Sequence, residues 1–361
     1  MASAITVDRA NWLGYRWWRH GLDGDAGPDL LGDLLLLGVQ DSRQGGAEQS
    51  LAQRTGRIGA TPVPAAISPG GPLVSVWSVR GAPHAHRIEH LDFVRDAFRP
   101  QDTDEAGGAG AVDEVAAVLR AVVTAPMSKA AASTEVTRRV PEALVTWCER
   151  CRAAHVPEGL FRAAGRQARL VLGPEERRAT MLHPPPAHEQ ETIAHPRREL
   201  LGAYFRLNGP ASRTQFRDWM EDSTEGTASL WRTLGEAIVR VQIGDRRLDL
   251  PESLADTVRG APVPRGVALV PPNDPYLRQV DRTLLVPDRT RRHQVFRPLS
   301  GPGALLVDGE VAGTWRYRRT DHEVTITPFD RLDLAQRARA ERRAYLVAAA
   351  TGDDEPTVSW D

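Results

Sequence analysis

Two cysteines and a histidine form a compact set of candidate metal ligands. Cys148, Cys151 and His155 occur within CERCRAAH, where a C-x-x-C pair precedes an imidazole. If this stretch is helical, the three residues fall at i, i+3 and i+7 and share one helix face. A structural zinc site needs four ligands, and the chain, with only two cysteines, has no second C-x-x-C pair. We therefore interpret them as a core-facing helix stripe and expect no metal and no cofactor.

Arginine supplies nearly all of the positive charge. The chain has 46 Lys and Arg residues, of which Lys129 is the only lysine. Arginine makes bidentate contacts to phosphate and to guanine, and it stacks on bases. A GC-rich genome also encodes arginine in preference to lysine, and the net charge is only −1. The charge balance therefore excludes a uniformly basic nucleic-acid-binding protein but leaves a local basic surface open.

The overall composition is that of a globular protein. The 361 residues, 41% hydrophobic and 26% charged, predict two or three packed units with real cores. No apolar run approaches the roughly 18 residues that a membrane helix needs, and the first residues lack a signal-peptide pattern. The low cysteine content suits a reducing compartment. We expect a cytoplasmic, nucleoid-associated protein with no membrane partner.

Three breaks divide the chain. An acidic, glycine-rich segment covers 101–111, a proline-rich segment covers 183–196, and a third break falls near 259–266. Proline and glycine clusters of this kind disfavour helix and strand interiors. The breaks predict four pieces: 1–100, 111–183, 196–260 and 265–361.

The third piece has the clearest pattern. A helix is predicted to end at Asn208-Gly209, and Ser212 is a candidate cap for a second helix. A third helix contains Leu230 and Trp231, and alternating residues around Gly244-Asp245 predict a β-hairpin. Three helices followed by a hairpin are the element order of a winged helix, in which the third helix usually enters the DNA major groove.

The other pieces are interpreted by the same order. In the second piece, 113–123 is predicted to be helical, 133–154 to form two helical stretches around Pro141, and 159–173 to form two strands around Gly165-Arg166. The first piece contains three helical patterns and the strand LVSVWSVR. Together they predict an α+β protein with three tandem winged-helix units.

The fourth piece differs from the other three. Residues 303–329 contain three alternating strands with turns at Asp308-Gly309 and Thr320-Asp321, followed by a helical pattern over 333–350. We predict a small C-terminal antiparallel β-barrel closed by a terminal helix.

Two arginine groups are candidate DNA contacts. Arg232 lies on the predicted recognition helix, and Arg246 and Arg247 lie on the predicted wing, where an arginine typically contacts phosphate or the minor groove. Arg291 and Arg292 belong to DRTRRHQVFR, the densest basic run. Each group is equally compatible with a solvated surface, and the basic run with an exposed hairpin.

Four segments, in this order, resemble the AlkZ/YcaQ-type winged-helix DNA glycosylase superfamily. They are LLGVQDSRQGGAEQSLAQRTG (36–56), VWSVRGAPHAHR (76–87), VPPNDPYL (270–277) and LLVDGEVAGTWR (305–316). They span nearly the whole chain. The resemblance implies three winged helices curved around DNA, a C-terminal barrel and, in some relatives, excision of alkylated bases. The third segment departs from the family pattern, since Asn273 stands where an aromatic residue is common.

The resemblance places the active-site motif at Gln40. The family motif is glutamine, one residue, then glutamine or aspartate; here Asp41 and Ser42 follow, so serine fills the last position. A glutamine amide orients water by hydrogen bonds, and a carboxylate stabilises an oxocarbenium-like cation. Two alternatives stay open: Asp41 as a helix cap and Gln40 as a half-buried structural amide.

The resemblance also places VRGAPHAHR near the active-site pocket. His84 is the candidate that positions the base or binds a phosphate, and a solvated histidine in a turn is the alternative. With the arginines named above, the candidate DNA contacts implied by these segments are Ser42, Arg43, Arg80 and His86.

These observations favour a monofunctional DNA glycosylase acting on alkylated or bulky-adduct purines. The expected partner is double-stranded DNA, and we expect a monomer. A non-enzymatic winged-helix DNA-binding protein, for instance a transcriptional regulator, is the alternative that the serine at position 42 keeps open, and a relative without DNA binding is a third.

Overall fold

A computed structural model describes residues 4–23, 31–41, 45–100, 108–235, 237–278 and 281–361. The chain divides into two compact units. The first combines residues 1–66 with 201–361, and the second is the continuous stretch 67–200. The predicted four-piece division is a finer one and stays a prediction.

The N-terminal part of the first unit contains short elements. They are β1 (Ile5–Thr6), α1 (Arg9–Arg19), α2 (Gly32–Leu37), β2 (Val39–Gln40), α3 (Gly46–Ala52), β3 (Arg57–Ile58), β4 (Thr61–Pro62) and α4 (Val63–Ala66). Helix α2 ends in four buried leucines, Leu34–Leu37, which fix the position of the residues that follow it.

The second unit is an antiparallel sheet with helices. Its elements are β5 (Leu73–Trp77), β6 (Pro83–Arg87), α5 (Leu91–Ala97), α6 (Gly108–Val122), β7 (Met127–Ser128), α7 (Lys129–Thr137), β8 (Thr146–Cys148), β9 (Ala153–His155), α8 (Glu158–Gln167), β10 (Val171–Glu176) and β11 (Ala179–His183). Five of its strands pair in the order β6-β5-β10-β11-β7, and β8 and β9 form a separate hairpin. Side chains of α6, α7 and α8 and of the sheet share one apolar core.

The remainder of the chain returns to the first unit. It contains α9 (Pro196–Asn208, which crosses the boundary between the units), α10 (Arg213–Met220), α11 (Thr224–Arg232), β12 (Ile238–Ile243), β13 (Arg246–Pro251), α12 (Ala255–Arg259), β14 (Val267–Val270), α13 (Pro275–Arg278), α14 (Arg282–Leu285), α15 (Arg289–Val295), β15 (Gly303–Val307), β16 (Glu310–Arg318), β17 (Glu323–Pro328), α16 (Leu334–Ala349) and β18 (Thr357–Trp360).

The helix–helix–helix–hairpin order predicted for the third piece is present. Helix α9 ends at Asn208, and Ser212 caps α10 in a complete capping box with Gln215. Strands β12 and β13 pair around the turn Gly244-Asp245, and β1 adds to this hairpin in parallel. Edge-to-face aromatic pairs fill the space between the helices, which explains the high aromatic content of this segment.

The predicted C-terminal barrel is wrong. Among the described residues, β14 to β18 form an open sheet in sequence order, and β17 and β18 run parallel. Helix α16 covers one face and buries Ala340, Ala344 and Val347 against the strands. The three alternating strands and the terminal helix were predicted correctly, but strand alternation reports a buried face and not whether a sheet closes.

Two local predictions are also wrong. Residues 158–167 form one helix, α8, and not a strand turning at Gly165-Arg166, because Gly165 faces the Trp77 ring; an added Cβ would lie 2.6 Å from that ring. Residues 146–155 form a hairpin and not a helix. The basic run, for which an exposed hairpin was one alternative, forms helix α15, capped by Asp288.

Candidate active site

Gln40 is held at a fixed place by the apolar residues before it. Helix α2 ends at Gly38, whose φ of 91° turns the chain directly into β2. Because only glycine adopts such a conformation without strain, this residue sets the direction in which Val39 and Gln40 leave the helix. Val39 is fully buried, whereas Gln40 is partly accessible.

Gln40 lines a cleft of about 160 Å³ within the first unit. The polar side chains around it are Gln49, Asn273, Arg316, Tyr317 and Arg319. This volume is smaller than the roughly 300–1,000 Å³ of pockets that enclose a small molecule. The cleft can therefore hold a water and part of a substrate, but it cannot enclose a large group.

A buried ion pair holds two walls of this cleft together. The Arg54 guanidinium makes a bidentate contact with Asp274, with N–O distances of 2.8 and 2.9 Å, and neither side chain is exposed. The Ser50 hydroxyl donates to the same carboxylate at 2.7 Å. Ser50 lies in α3 and Arg54 follows its end, whereas Asp274 follows Asn273, so the network fixes both segments. Breaking such a buried pair leaves an uncompensated charge and is costly.

Trp315 closes the cleft on its apolar side. Its indole N–H donates to the Val270 carbonyl at 2.9 Å, and its side chain is only 3% exposed. The ring lies directly against Gly303, where an added Cβ would come within 2.3 Å of it. The glycine is therefore required by the position of the tryptophan.

The cations of the cleft differ in their partners. Arg319 makes a bidentate contact with Asp353, which also accepts a hydrogen bond from the Tyr317 hydroxyl at 2.9 Å. The Arg319 guanidinium and the other donors lower the pKa of Asp353 to about 2, so the carboxylate is ionised at neutral pH. Arg316 is exposed and donates to the Ser300 carbonyl, a neutral acceptor, so its charge is available to an anion.

Asp41 has a different environment from Gln40. Its carboxylate oxygen Oδ1 accepts from the Ala47 N–H at 3.4 Å, in the first turn of α3, and Asp41 is not among the described residues that line the cleft. This contact favours the helix-capping alternative. Ser42 and Arg43, the next two predicted site residues, lie outside the described residues.

Glu48 is a candidate carboxylate that sequence reasoning missed. It lies on α3 beside Gln49, and its Oε2 atom is buried with no hydrogen-bond partner among the described residues. Burial raises the pKa of its carboxyl. Perturbed carboxyls of this kind are found at functional sites. A glutamate inside a helix carries no sequence signal for this, because burial is decided by tertiary packing.

The predicted histidines lie in the second unit and are buried. His84 Nδ1 lies 2.9 Å from the Ala82 carbonyl, and His86 Nε2 lies 2.9 Å from the Ser78 hydroxyl. Burial, opposed by the Ala82 carbonyl, lowers the pKa of His84 to about 4, so its ring is neutral near pH 7. Arg80 lies in the turn between β5 and β6, at a φ of 54°. The imidazole of His84 can therefore donate or accept hydrogen bonds but does not attract phosphate by charge.

The arginines predicted on the hairpin and its helix are mostly exposed. Arg232, at the end of α11, and Arg247, on β13, are exposed to solvent. Arg246 lies 3.2 Å from the Asp281 carboxylate, so its charge is largely compensated. Arg232 and Arg247 are thus the two members of this group that remain accessible to an anion.

The basic run on α15 is tied to the protein. Arg291 contacts the Asp330 carboxylate at 2.9 Å and lies over the Phe329 ring. Arg292 donates to the Val286 and Pro287 carbonyls that precede the helix. Both side chains therefore hold α15 against neighbouring parts of the protein.

A second basic cleft was not predicted. It has a volume of about 570 Å³, lies within the first unit, and is lined by Arg265, Arg339, Arg342 and Arg343; Asp23 is the one acid among the described lining residues. Three of these arginines come from α16. They are spaced three and four residues apart, which places them on one helix side, and this spacing is the signal that could have found them.

The comparisons with known proteins agree with this architecture. The DNA glycosylase AlkZ-like family matches residues 31–350. A solved structure, the Streptomyces sahachiroi DNA glycosylase AlkZ, shares the fold with a TM-score of 0.76 and 19% sequence identity, over 99% of this chain and 100% of that chain. A search of curated proteins finds no match. Among the described helices, none has the length and apolar character needed to cross a membrane.

The chain therefore has the fold of a DNA glycosylase. The family model that matches it covers most of its length. It belongs to the AlkZ-like DNA glycosylase family.

Proposed function

We propose that this protein is a monofunctional DNA glycosylase that hydrolyses the N-glycosidic bond of alkylated or bulky-adduct purines in duplex DNA. The observation that carries the proposal is the position of Gln40, whose side chain lines a cleft bordered by the available cation Arg316. The family membership given above supplies the reaction class.

The proposed chemistry needs little acid catalysis. A purine alkylated at N7 is already cationic, so it leaves readily, and the enzyme has to supply a positioned water and to stabilise an oxocarbenium-like sugar. Gln40 orients the water, since an amide both donates and accepts hydrogen bonds but is no base at pH 7. Asp41, the next residue in the chain, is proposed to supply negative charge, and Arg316 is proposed to bind a backbone phosphate.

A small cleft suits a bulky substrate. A cleft of about 160 Å³ is too small to enclose an adducted nucleotide. We therefore propose that the glycosidic bond is hydrolysed while most of the damaged base stays outside the cleft. This differs from glycosylases that flip the base into a deep pocket at a cost of a few kcal/mol.

The DNA contacts complete the proposal. We propose that α9, α10 and α11 with β12 and β13 act as a winged helix, that the other two predicted winged-helix units also bind DNA, and that Arg232 and Arg247 contact phosphates. In the second unit, Arg80 is proposed to contact DNA, and the buried His84 and His86 are proposed to support the turn that carries it. The protein is proposed to act as a monomer on the cytoplasmic nucleoid.

Base release from duplex DNA carrying N7-methylguanine tests the enzyme. We expect Gln40→Ala to reduce the single-turnover rate by about 10²-fold, the lower range for loss of one positioned catalytic group, and Asp41→Asn to reduce it as well. Gln294→Ala, an exposed glutamine on α15, is the matched control and should release base at the native rate. Duplex affinity should be equal in all four proteins.

A second candidate function is a DNA-binding protein without glycosylase activity. The contact of Asp41 with the α3 amide favours it, because this carboxylate then serves as a cap. Native protein that binds duplex DNA but releases no base from N7-methylguanine or from a bulkier adduct would support this candidate and reject the first. A dimer on a sizing column would support it further, since regulators usually bind paired half-sites.

A further inference from the structure

The C-x-x-C pair and its histidine converge in the second unit. Cys148 ends β8, Cys151 lies in the turn, and His155 ends β9. One ligand atom from each residue, the two sulfurs and an imidazole nitrogen, lies within 4.8 Å of the others. The helix stripe predicted from the sequence is wrong, because this segment is a hairpin whose cysteine and histidine side chains are not part of the apolar core.

The hairpin register explains the convergence. Cys148 pairs with Ala153, and Thr146 pairs with His155. Side chains two residues apart on a strand share a face, so Cys148 and His155 are diagonal neighbours on the same face. Arg152, at a φ of 50°, closes the turn that returns Cys151 toward them.

The histidine is prepared to bind a metal through one defined nitrogen. Nδ1 lies 2.8 Å from the Val156 carbonyl, which accepts only from a protonated nitrogen, so the lone pair remains on Nε2. Nε2 is buried and has no conventional hydrogen-bond partner among the described residues. A metal-binding histidine almost always donates its other N–H to a carbonyl or carboxylate in this way.

The cysteine sulfurs are also available as ligands. Neither Cys148 nor Cys151 is in a disulfide, and both sulfurs belong to the converging set of ligand atoms. Thiolates are the form in which cysteines bind metals. Cys151 is exposed, so an ion reaches the site from solvent without any rearrangement of the core.

We propose that Cys148, Cys151 and His155 bind one Zn²⁺ ion, with the fourth coordination position taken by water. Two sulfurs and one imidazole nitrogen suit a tetrahedral zinc ion. With Zn–S of about 2.3 Å and Zn–N of about 2.0–2.1 Å, ligand atoms of a tetrahedral site are about 3.6–3.8 Å apart. The ligand atoms here are at most 4.8 Å apart. Side-chain rotations that move these atoms by about an ångström would therefore give tetrahedral coordination.

The neighbouring charges are consistent with this assignment. The Glu158 carboxylate lies close enough to interact with both Cys151 and His155, and Lys129 and Arg162 already pair with it. It is not one of the converging ligand atoms. The ion would fix a hairpin that carries Trp147, which is 61% exposed, and so hold that side chain at the surface.

Metal content and cobalt spectroscopy test the site. Reduced full-length protein without an affinity tag should carry one zinc per chain by elemental analysis. After chelation, Co²⁺ should give the near-ultraviolet band of a cobalt–thiolate bond and the intense visible bands of a tetrahedral ion. Cys148→Ser and Cys151→Ser should each lose these bands or bind cobalt far more weakly.

A histidine variant separates the three-residue site from a bare cysteine pair. His155→Ala should weaken cobalt binding by about tenfold or more, since even a group that only supports a metal ligand contributes about 10–100-fold. His188→Ala, an exposed histidine of the same unit, is the matched control and should bind as the native protein does. Circular dichroism confirms that each variant is folded.

Three results would overturn the proposal. The first is a protein whose two thiols titrate as free but which binds neither zinc nor cobalt. The second is cobalt binding that His155→Ala leaves unchanged. The third is a Cys148–Cys151 disulfide that forms under air and persists in the presence of zinc. None of these readouts depends on glycosylase activity.

Discussion

At the scale of single residues, the chemistry of a side chain depends on its type and on how far burial changes its properties. Gln40 was found from its place in a motif, and it does line a cleft. Glu48 was not found, although the pKa of its carboxyl is raised by burial. The two lie on the connected segment β2–α3, but only the first belongs to a recognisable pattern. A sequence motif therefore identifies a residue by its type, but it does not identify a carboxyl whose pKa is changed by burial in the fold.

Glu48 should destabilise the protein at neutral pH. A carboxyl whose pKa is higher in the folded than in the unfolded state binds more protons when folded, so stability falls as pH rises through that interval. Glu48→Gln removes the buried charge. We expect the variant to unfold at a higher urea concentration than the native protein at pH 7.

The same comparison at low pH provides the control. Below pH 4 both proteins carry a neutral side chain at position 48, so their unfolding midpoints should converge. A stabilisation that is equal at both pH values would contradict the assignment to ionisation. If Glu48→Gln also slows base release, then the carboxyl takes part in the reaction as well.

At the scale of elements, the cleft depends on contacts between segments far apart in sequence. Asp274 and Arg54 are separated by 220 residues, yet their ion pair joins α3 to the loop before α13. The sequence contains both segments as recognisable strings, but nothing in either string names the other as its partner. Only the fold reveals that VPPNDPYL and AEQSLAQR contact each other beside the same cleft.

Breaking this ion pair should lower stability substantially. Arg54→Met keeps much of the side-chain volume but leaves the Asp274 carboxylate buried without its cation. We expect a loss of about 3–5 kcal/mol in the free energy of unfolding, the cost of an uncompensated buried charge. Urea unfolding followed by tryptophan fluorescence measures this loss.

Arg57→Met is the matched control for that variant. Arg57 is exposed on β3, three residues further along, so its replacement should change the free energy by less than about 0.5 kcal/mol, as surface substitutions usually do. Equal effects of the two substitutions would show that the pair between Arg54 and Asp274 has no special weight.

Element prediction succeeded where local signals were sufficient. Ser212, Asn208 and Gly244-Asp245 define caps and a turn, and α9, α10 and the β12–β13 hairpin follow them. It failed in the first part of the strand pair predicted over 159–173, where Gly165 resembles a turn residue but provides space for Trp77 within α8. It also failed at 146–155, where helix and hairpin periodicities are both weak over so few residues. The first failure has a tertiary cause, whereas in the second the local pattern does not distinguish the two structures.

At the scale of the whole molecule, the net charge is only −1, so DNA binding depends on where the positive charges lie on the surface. Phosphate contacts release counterions, and the logarithm of affinity falls with the logarithm of salt by about 0.9 per contact. Arg316 borders the cleft, and among the described residues its hydrogen-bond acceptor is the neutral Ser300 carbonyl. Arg316→Ala should therefore weaken duplex binding equally for all sequences and reduce that slope by about 1.

Arg259→Ala provides the comparison for this measurement. Arg259 is exposed on α12 and already pairs with Asp256, and it lines neither basic cleft described above. Its loss should leave both affinity and slope unchanged. An Arg316→Ala variant with a native slope would remove this residue from the DNA surface.

The first unit is interrupted in sequence, and this has a consequence for how the protein is made. Strand β1 pairs with β12, which begins more than 230 residues later. At about 5–20 residues per second, a ribosome needs about 12–47 s to deliver that partner. The continuous stretch 67–200 emerges completely in the meantime. Vectorial synthesis therefore favours an order in which the inserted unit folds first, while the N-terminal strand waits for the last third of the chain.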